Sequence, residues 1–144
     1  MADRRKSHST PPYRHDESFF MSALMDSIPD LVYFKDENGR FLRINRAHAL
    51  FLGLRDPAEA VGKNDFDFYP EEMARRFWED DRHVIRTGEP VIEKEEDEKS
   101  HSAGGYATVL TTKVPMRDPE GRIIGLMGIS RDITARKHME EKVI

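Results

Sequence analysis

Apolar residues recur with helical spacing at the start of the chain. Phe20, Leu24 and Ile28 lie four apart, flanked by Phe19 and Ala23, which predicts a short amphipathic helix over Glu17–Ile28 closed by Pro29. The period then shortens. Leu31-Val32-Tyr33-Phe34-Lys35 and Arg40-Phe41-Leu42-Arg43-Ile44 are rich in strand formers and are separated by Asp36-Glu37-Asn38-Gly39, a turn signal, so they predict a β-hairpin. Asn45 is placed to cap a helix over Arg46–Leu52, and Gly53 to end it. Asp56-Pro57-Ala58-Glu59 has the cap, first-turn proline and acid of another short helix, which Gly62 stops. Pro70 opens a longer helix whose Met73, Phe77, Trp78, Val84 and Ile85 share a face, with Gly88 and Pro90 ending it. Strand signals return afterwards. Val91–Glu95 reads as a strand dissolving into a solvated acidic run, Ser100–Gly105 as a loop, Tyr106–Met116 as a long strand, Asp118–Gly121 as a turn and Ile123–Arg131 as the last strand. A charged helical pattern starts at Ala135 and is still running when the sequence ends, which reads as a piece of a longer chain. Five strands around a helical middle predict an α+β domain built on one antiparallel sheet.

Composition narrows the class. The 144 residues suit one domain, with residues 1–16 as a polar, disordered leader, 17–134 as the domain and 135–144 as the start of an exit helix. There are no cysteines, so disulfide scaffolds, zinc–thiolate sites, iron–sulfur clusters and cysteine nucleophiles are excluded. Charged residues make up 35% of the chain, yet the net charge is −4, a balance that gives no support to nucleic acid as a partner. No apolar run is long enough to span a bilayer, and no secretory signal opens the chain, so a cytoplasmic location is expected.

Several segments, in order, resemble the PAS domain family. They are Asp30–Asp36 with Gly39, Asn45, Gly62-Lys63-Asn64-Asp65-Phe66, Thr87-Gly88-Glu89-Pro90, Thr111–Asp118 and Gly125–Thr134. The resemblance implies a five-stranded antiparallel sheet that half-encloses a small cavity, with flanking N- and C-terminal helices. It also implies a sensory, dimerising module upstream of an output domain such as a histidine kinase or a cyclic-dinucleotide enzyme. On that footing a small-molecule ligand would meet Tyr33, Asp65, Phe66, Phe77, Thr111, Lys113 and Ser130, and Asp132 and Thr134 would relay strain to the exit helix. The stripe Phe20, Leu24, Ile28 is the expected homodimer surface, because a short amphipathic helix outside the sheet must cover its apolar face. The rival function is a ligand-free dimerisation scaffold.

Lys113 poses the sharpest question. Alternation puts Leu110, Thr112 and Val114 on one face of its strand and Val109, Thr111 and Lys113 on the other. Periodicity alone sends the first set to the core, whereas the resemblance turns the second set toward the cavity. An inward Lys113 needs a partner, with Asp65 or Asp67 the expected counter-ion and a ligand carboxylate the alternative; a solvated Lys113 is the third reading.

The cofactor is left unknown. The flavin-adduct position is Asp65 rather than cysteine, which removes thiol photochemistry. The haem-ligand register falls on Phe77, with His83 a turn and a half later, which disfavours haem. An enzyme would have to be built on Asp80 and His83, three apart on one helix. No third ligand, phosphate loop or nucleophile motif accompanies them, so no catalysis and no metal are expected.

Overall fold

The computed structural model describes residues 15–102 and 104–143; of the expected leader, residues 1–14 lie outside these. The chain folds as α1 (Glu17–Ser27), β1 (Leu31–Asp36), β2 (Phe41–Ile44), α2 (Arg46–Leu52), two 3₁₀ turns (Pro57–Ala60 and Asp65–Asp67), α3 (Glu71–Thr87), β3 (Val91–Ser100), β4 (Gly105–Arg117), β5 (Ile123–Asp132) and α4 (Thr134–Val143). The strands form one antiparallel sheet in the order β2-β1-β5-β4-β3.

Local chemistry sets the element ends. Asp16 Oδ1 accepts the Phe19 amide at the start of α1, and Asn45 does the same for His48 in α2. Asn45 is fully buried and does more than cap. Its Oδ1 also accepts the Val32 amide, and its Nδ2 donates to the Asp30 carbonyl, so one side chain joins the entry to β1 to the start of α2. Gly53 and Gly88 end α2 and α3 in the left-handed conformation, where a β-carbon would be strained.

The acidic run differs from expectation. β3 does not dissolve after Glu95 but continues to Ser100, pairing with β4 from Lys94↔Thr111 to Ser100↔Gly105. Ladder hydrogen bonds outweigh the weak strand propensity of Glu and Lys here. The register slips between Val91 and Lys94, where Glu93 takes φ 48° and the strand bulges.

The second correction concerns the faces of β4. Val109, Thr111 and Lys113 are buried, while Leu110, Thr112 and Val114 are half-exposed, so periodicity alone picks the wrong face. α2, the 3₁₀ turns and α3 cover the inner face of the sheet, which β5 continues with Leu126, Gly128 and Ser130. Among the described residues, α3 contributes Met73, Ala74, Phe77 and Val84 to the core, and each large apolar side chain buried there contributes roughly 2 kcal/mol. On α1 only Met25 is buried; Phe20 is 58% and Leu24 56% exposed, and Ile28 is half-buried. The apolar stripe of α1 thus finds little cover among the described residues.

Candidate functional site

The inner face of the sheet and the helical layer enclose a cavity of about 20 Å³, room for about one water. Its wall is unusually polar. Lys35 follows Leu31 and Tyr33 on the inward face of β1, Lys113 comes from β4, Glu98 from β3 and Ser130 from β5; His48 comes from α2 and Asp65 from the second 3₁₀ turn.

Two lysines and two aspartates run through this interior as an alternating chain. Lys35 Nζ donates to Asp65 Oδ2 and to Asp81 Oδ2, each at 2.6 Å, and Lys113 Nζ donates to Asp81 Oδ1 at 2.7 Å. All four side chains are almost wholly buried. The Lys35 ammonium also lies about 5 Å from the Tyr33 and Phe41 ring centres. Burial raises a carboxyl and lowers an ammonium, but the partners decide the net direction. Asp81 would rise by burial, yet two ammoniums hold it below its ordinary value. Asp65 faces burial, one ammonium in contact and the nearby Asp81 charge, and ends above its ordinary value. Lys35 and Lys113 would fall by burial, but the carboxylates beside them raise both. Asp81 is therefore the anchor of the chain.

A separate pair lies beside it. Tyr69 donates its hydroxyl to Glu98 Oε1 at 3.1 Å, both groups buried. Burial, reinforced by Glu96 and Asp65, pushes the Glu98 carboxyl up to about 7. His48 is buried among the rings of Tyr33, Phe41 and Phe51, and its Nδ1 has no hydrogen-bond partner among the described residues. Burial, with the Lys35 charge, lowers its pKa to about 3, so the imidazole is neutral.

Of the residues predicted to meet a ligand, Tyr33, Asp65, Phe77, Lys113 and Ser130 line the cavity, and Thr111 lies just behind it, its hydroxyl 2.9 Å from that of Ser130. Phe66 does not line the cavity. It is 48% exposed and faces an outer groove of about 210 Å³ that it shares with Asn38, Gly39, Asn64 and Trp78. The counter-ion of Lys113 also needs correction. It is Asp81; Asp65 pairs with Lys35 instead, and exposed Asp67 turns back to accept the Asn64 amide. Asp80 and His83 are bound elsewhere, Asp80 to Lys94 at 2.6 Å and His83 to Glu89 at 3.2 Å.

Lys35, His48, Asp81 and Glu98 were missed. For Asp81 a signal existed: it lies four residues after Phe77 and three before Val84, on the apolar stripe of α3. Lys35 likewise sits in phase with Leu31 and Tyr33. Glu98, inside an acidic run, carried no distinguishing mark.

The cavity wall leads directly to the exit helix. Ser130 is followed two residues later by Asp132, whose Oδ1 accepts both the amide and the hydroxyl of Thr134. The Thr134 hydroxyl in turn accepts the Thr108 amide of β4 at 2.9 Å, and Ile133 donates its amide to the Thr108 carbonyl.

Comparison with known proteins agrees with this architecture. A family model described as the PAS fold matches residues 25–138. The aerobic respiration control sensor protein ArcB of Escherichia coli is 34% identical over 125 residues, which are 87% of this chain and 16% of ArcB. The methanogenesis regulatory histidine kinase FilI of Methanothrix harundinacea is 30% identical over 135 residues, 93% of this chain and 14% of FilI. The chain thus spans about a sixth or less of these relatives. Among solved structures, the VqmA dimer of Vibrio cholerae, described in connection with DNA binding by LuxR-type receptors, superposes with a TM-score of 0.73 at 28% identity, covering 82% of this chain and 52% of that one. VqmA bound to DPO superposes with a TM-score of 0.71 at 28% identity, over 79% of this chain and 57% of that one. The chain belongs to the PAS family and is a sensory module related to those of histidine-kinase sensors.

Proposed function

We propose that this domain senses a small molecule in its interior cavity and passes the change through α4 to an output domain, a histidine kinase or cyclic-dinucleotide enzyme, in a cytoplasmic homodimer. The observation that carries the reading is the short path from Ser130 in the cavity wall to the Asp132–Thr134–Thr108 joint at the base of α4. A ligand that shifts β5 against β4 has to act on hydrogen bonds that fix the direction of that helix. Tyr33, Asp65, Phe77, Lys113 and Ser130 would meet the ligand, with Thr111 supporting Ser130. A VqmA structure holds DPO, which favours a ligand-binding role for this architecture, although the chain spans only about half of VqmA. DNA binding is left with VqmA.

One observation favours the scaffold alternative, a ligand-free dimer: the interior cavity has room for about one water. Native mass spectrometry of freshly purified protein, followed by a metabolite melting screen, tests between the two. A co-purifying mass or a stabilising metabolite is the outcome expected for a sensor. A bare chain that no metabolite stabilises would establish the scaffold.

A further inference from the structure

The cavity and the outer groove share one lining residue. Asp65 is common to the linings of both: its carboxylate is held inside on Lys35, while Phe66, next in the chain, faces the groove beside Trp78. The residues around the two spaces differ in kind. Inside, two ammoniums face the Asp65 and Asp81 carboxylates, and the third carboxyl of the wall, Glu98, is neutral below about pH 7, so in that range the charges cancel and an ion entering there would be buried without a counter-charge. Donors are nonetheless left over. Lys35 uses two of its three N–H groups on carboxylates and Lys113 one of three, among the described residues. His48 Nδ1 adds a buried polar atom with no partner among the described residues. Outside, the groove offers the face or edge of two aromatic side chains.

We propose that cavity and groove form one site, with Asp65 between its two halves, for a small uncharged molecule. Its hydrogen-bond acceptor, such as a carbonyl oxygen, takes a spare lysine donor, and its flat apolar body lies against Phe66 and Trp78. This rests on the sensory reading above and adds the ligand class and the groove. It also replaces the carboxylate ligand that the sequence left open for Lys113, because Asp81 already supplies that charge.

Three probes with the same ring and different charge test it: benzamide, benzoate and benzylammonium, titrated against the whole chain at pH 6, where Glu98 holds its proton. Trp78 is the only tryptophan, so its fluorescence reports on the groove, and saturation-transfer NMR reads contact independently. Benzamide is expected to bind and perturb Trp78, with both ions at least about tenfold weaker. Phe66→Ser, at an exposed position, should weaken benzamide at least about threefold while the fold is kept. Equal or tighter binding of benzoate or benzylammonium, or indifference to Phe66→Ser, overturns the ligand class or the groove but leaves small-molecule sensing intact. No binding of any probe to the native chain overturns the joint site, and with no metabolite stabilising that chain the sensory reading fails as well.

Discussion

Two helices of this domain, α3 and α1, treat their surroundings in opposite ways. α3 places Asp81, a carboxylate, where no solvent reaches it, whereas α1 leaves Phe20 and Leu24 in water. By hydrophobicity alone each has its residues the wrong way round. The difference lies in where the partner comes from. Asp81 meets two ammoniums delivered by β1 and β4, so its partners belong to the same chain and the pairing is complete. The α1 stripe has Met25 buried and little else. Burial of a charge therefore records an internal commitment, and exposure of an apolar stripe marks a commitment still open. An unusual residue is best judged by what stands opposite it in the fold.

The most damaging way to break this comparison is Asp81→Ala. It strands two buried ammoniums, and the loss should be about 3–5 kcal/mol, read by denaturant unfolding. An Asp81→Ala protein of unchanged stability would show that the interior charges are not coupled. Next comes the pH dependence of Glu98. Its folded value of about 7 lies above the ordinary 4.5, so the folded state holds the proton more tightly. Its contribution is fully present below about pH 4.5 and is lost as pH rises through about 7, a span worth on the order of 3 kcal/mol. Glu98→Gln should therefore flatten the stability profile across that window and gain on the native protein at pH 8. Thr134→Val is expected to cost roughly 1 kcal/mol, because the Thr108 amide and Asp132 lose a partner; faster hydrogen exchange at Thr108 would locate the effect. The smallest effect on folding is expected of Phe20→Asp, within about 0.5 kcal/mol for the single copy. Analytical ultracentrifugation should show that it converts the proposed dimer to monomer. A native chain that already sediments as a monomer would mean that this stripe serves something other than a second copy.

Legibility followed the range of the interaction. Asn45 and Gly53 bracket α2 within eight residues, and the structure ends that helix where they stand. The turn at Asp118–Gly121 fixed the β4–β5 hairpin in the same local way. The acidic half of β3 was not legible, because its strand state comes from pairing with β4 rather than from its own residues. The inward face of β4 was readable only through the family resemblance, since a buried lysine contradicts simple alternation. Cavity residues on strands already assigned, such as Tyr33 and Ser130, could be placed. The groove-facing position of Phe66 was not legible, because within one 3₁₀ turn Asp65 is buried and Phe66 exposed. Asp81 is masked by its residue type, since an acid on a helix mostly faces solvent, although its spacing from Phe77 puts it on the apolar stripe.

Gly128 has a use beyond its place in β5. The Tyr33 ring occupies the space where a β-carbon of residue 128 would stand, so bare peptide forms the floor beneath that ring. Any side chain at 128 would have to evict the tyrosine, whereas trimming the tyrosine leaves the strand ladder untouched. An engineer wanting a roomier chamber should therefore cut at position 33 and keep 128 as it is: the volume is hidden under an aromatic lid, waiting to be uncovered from above.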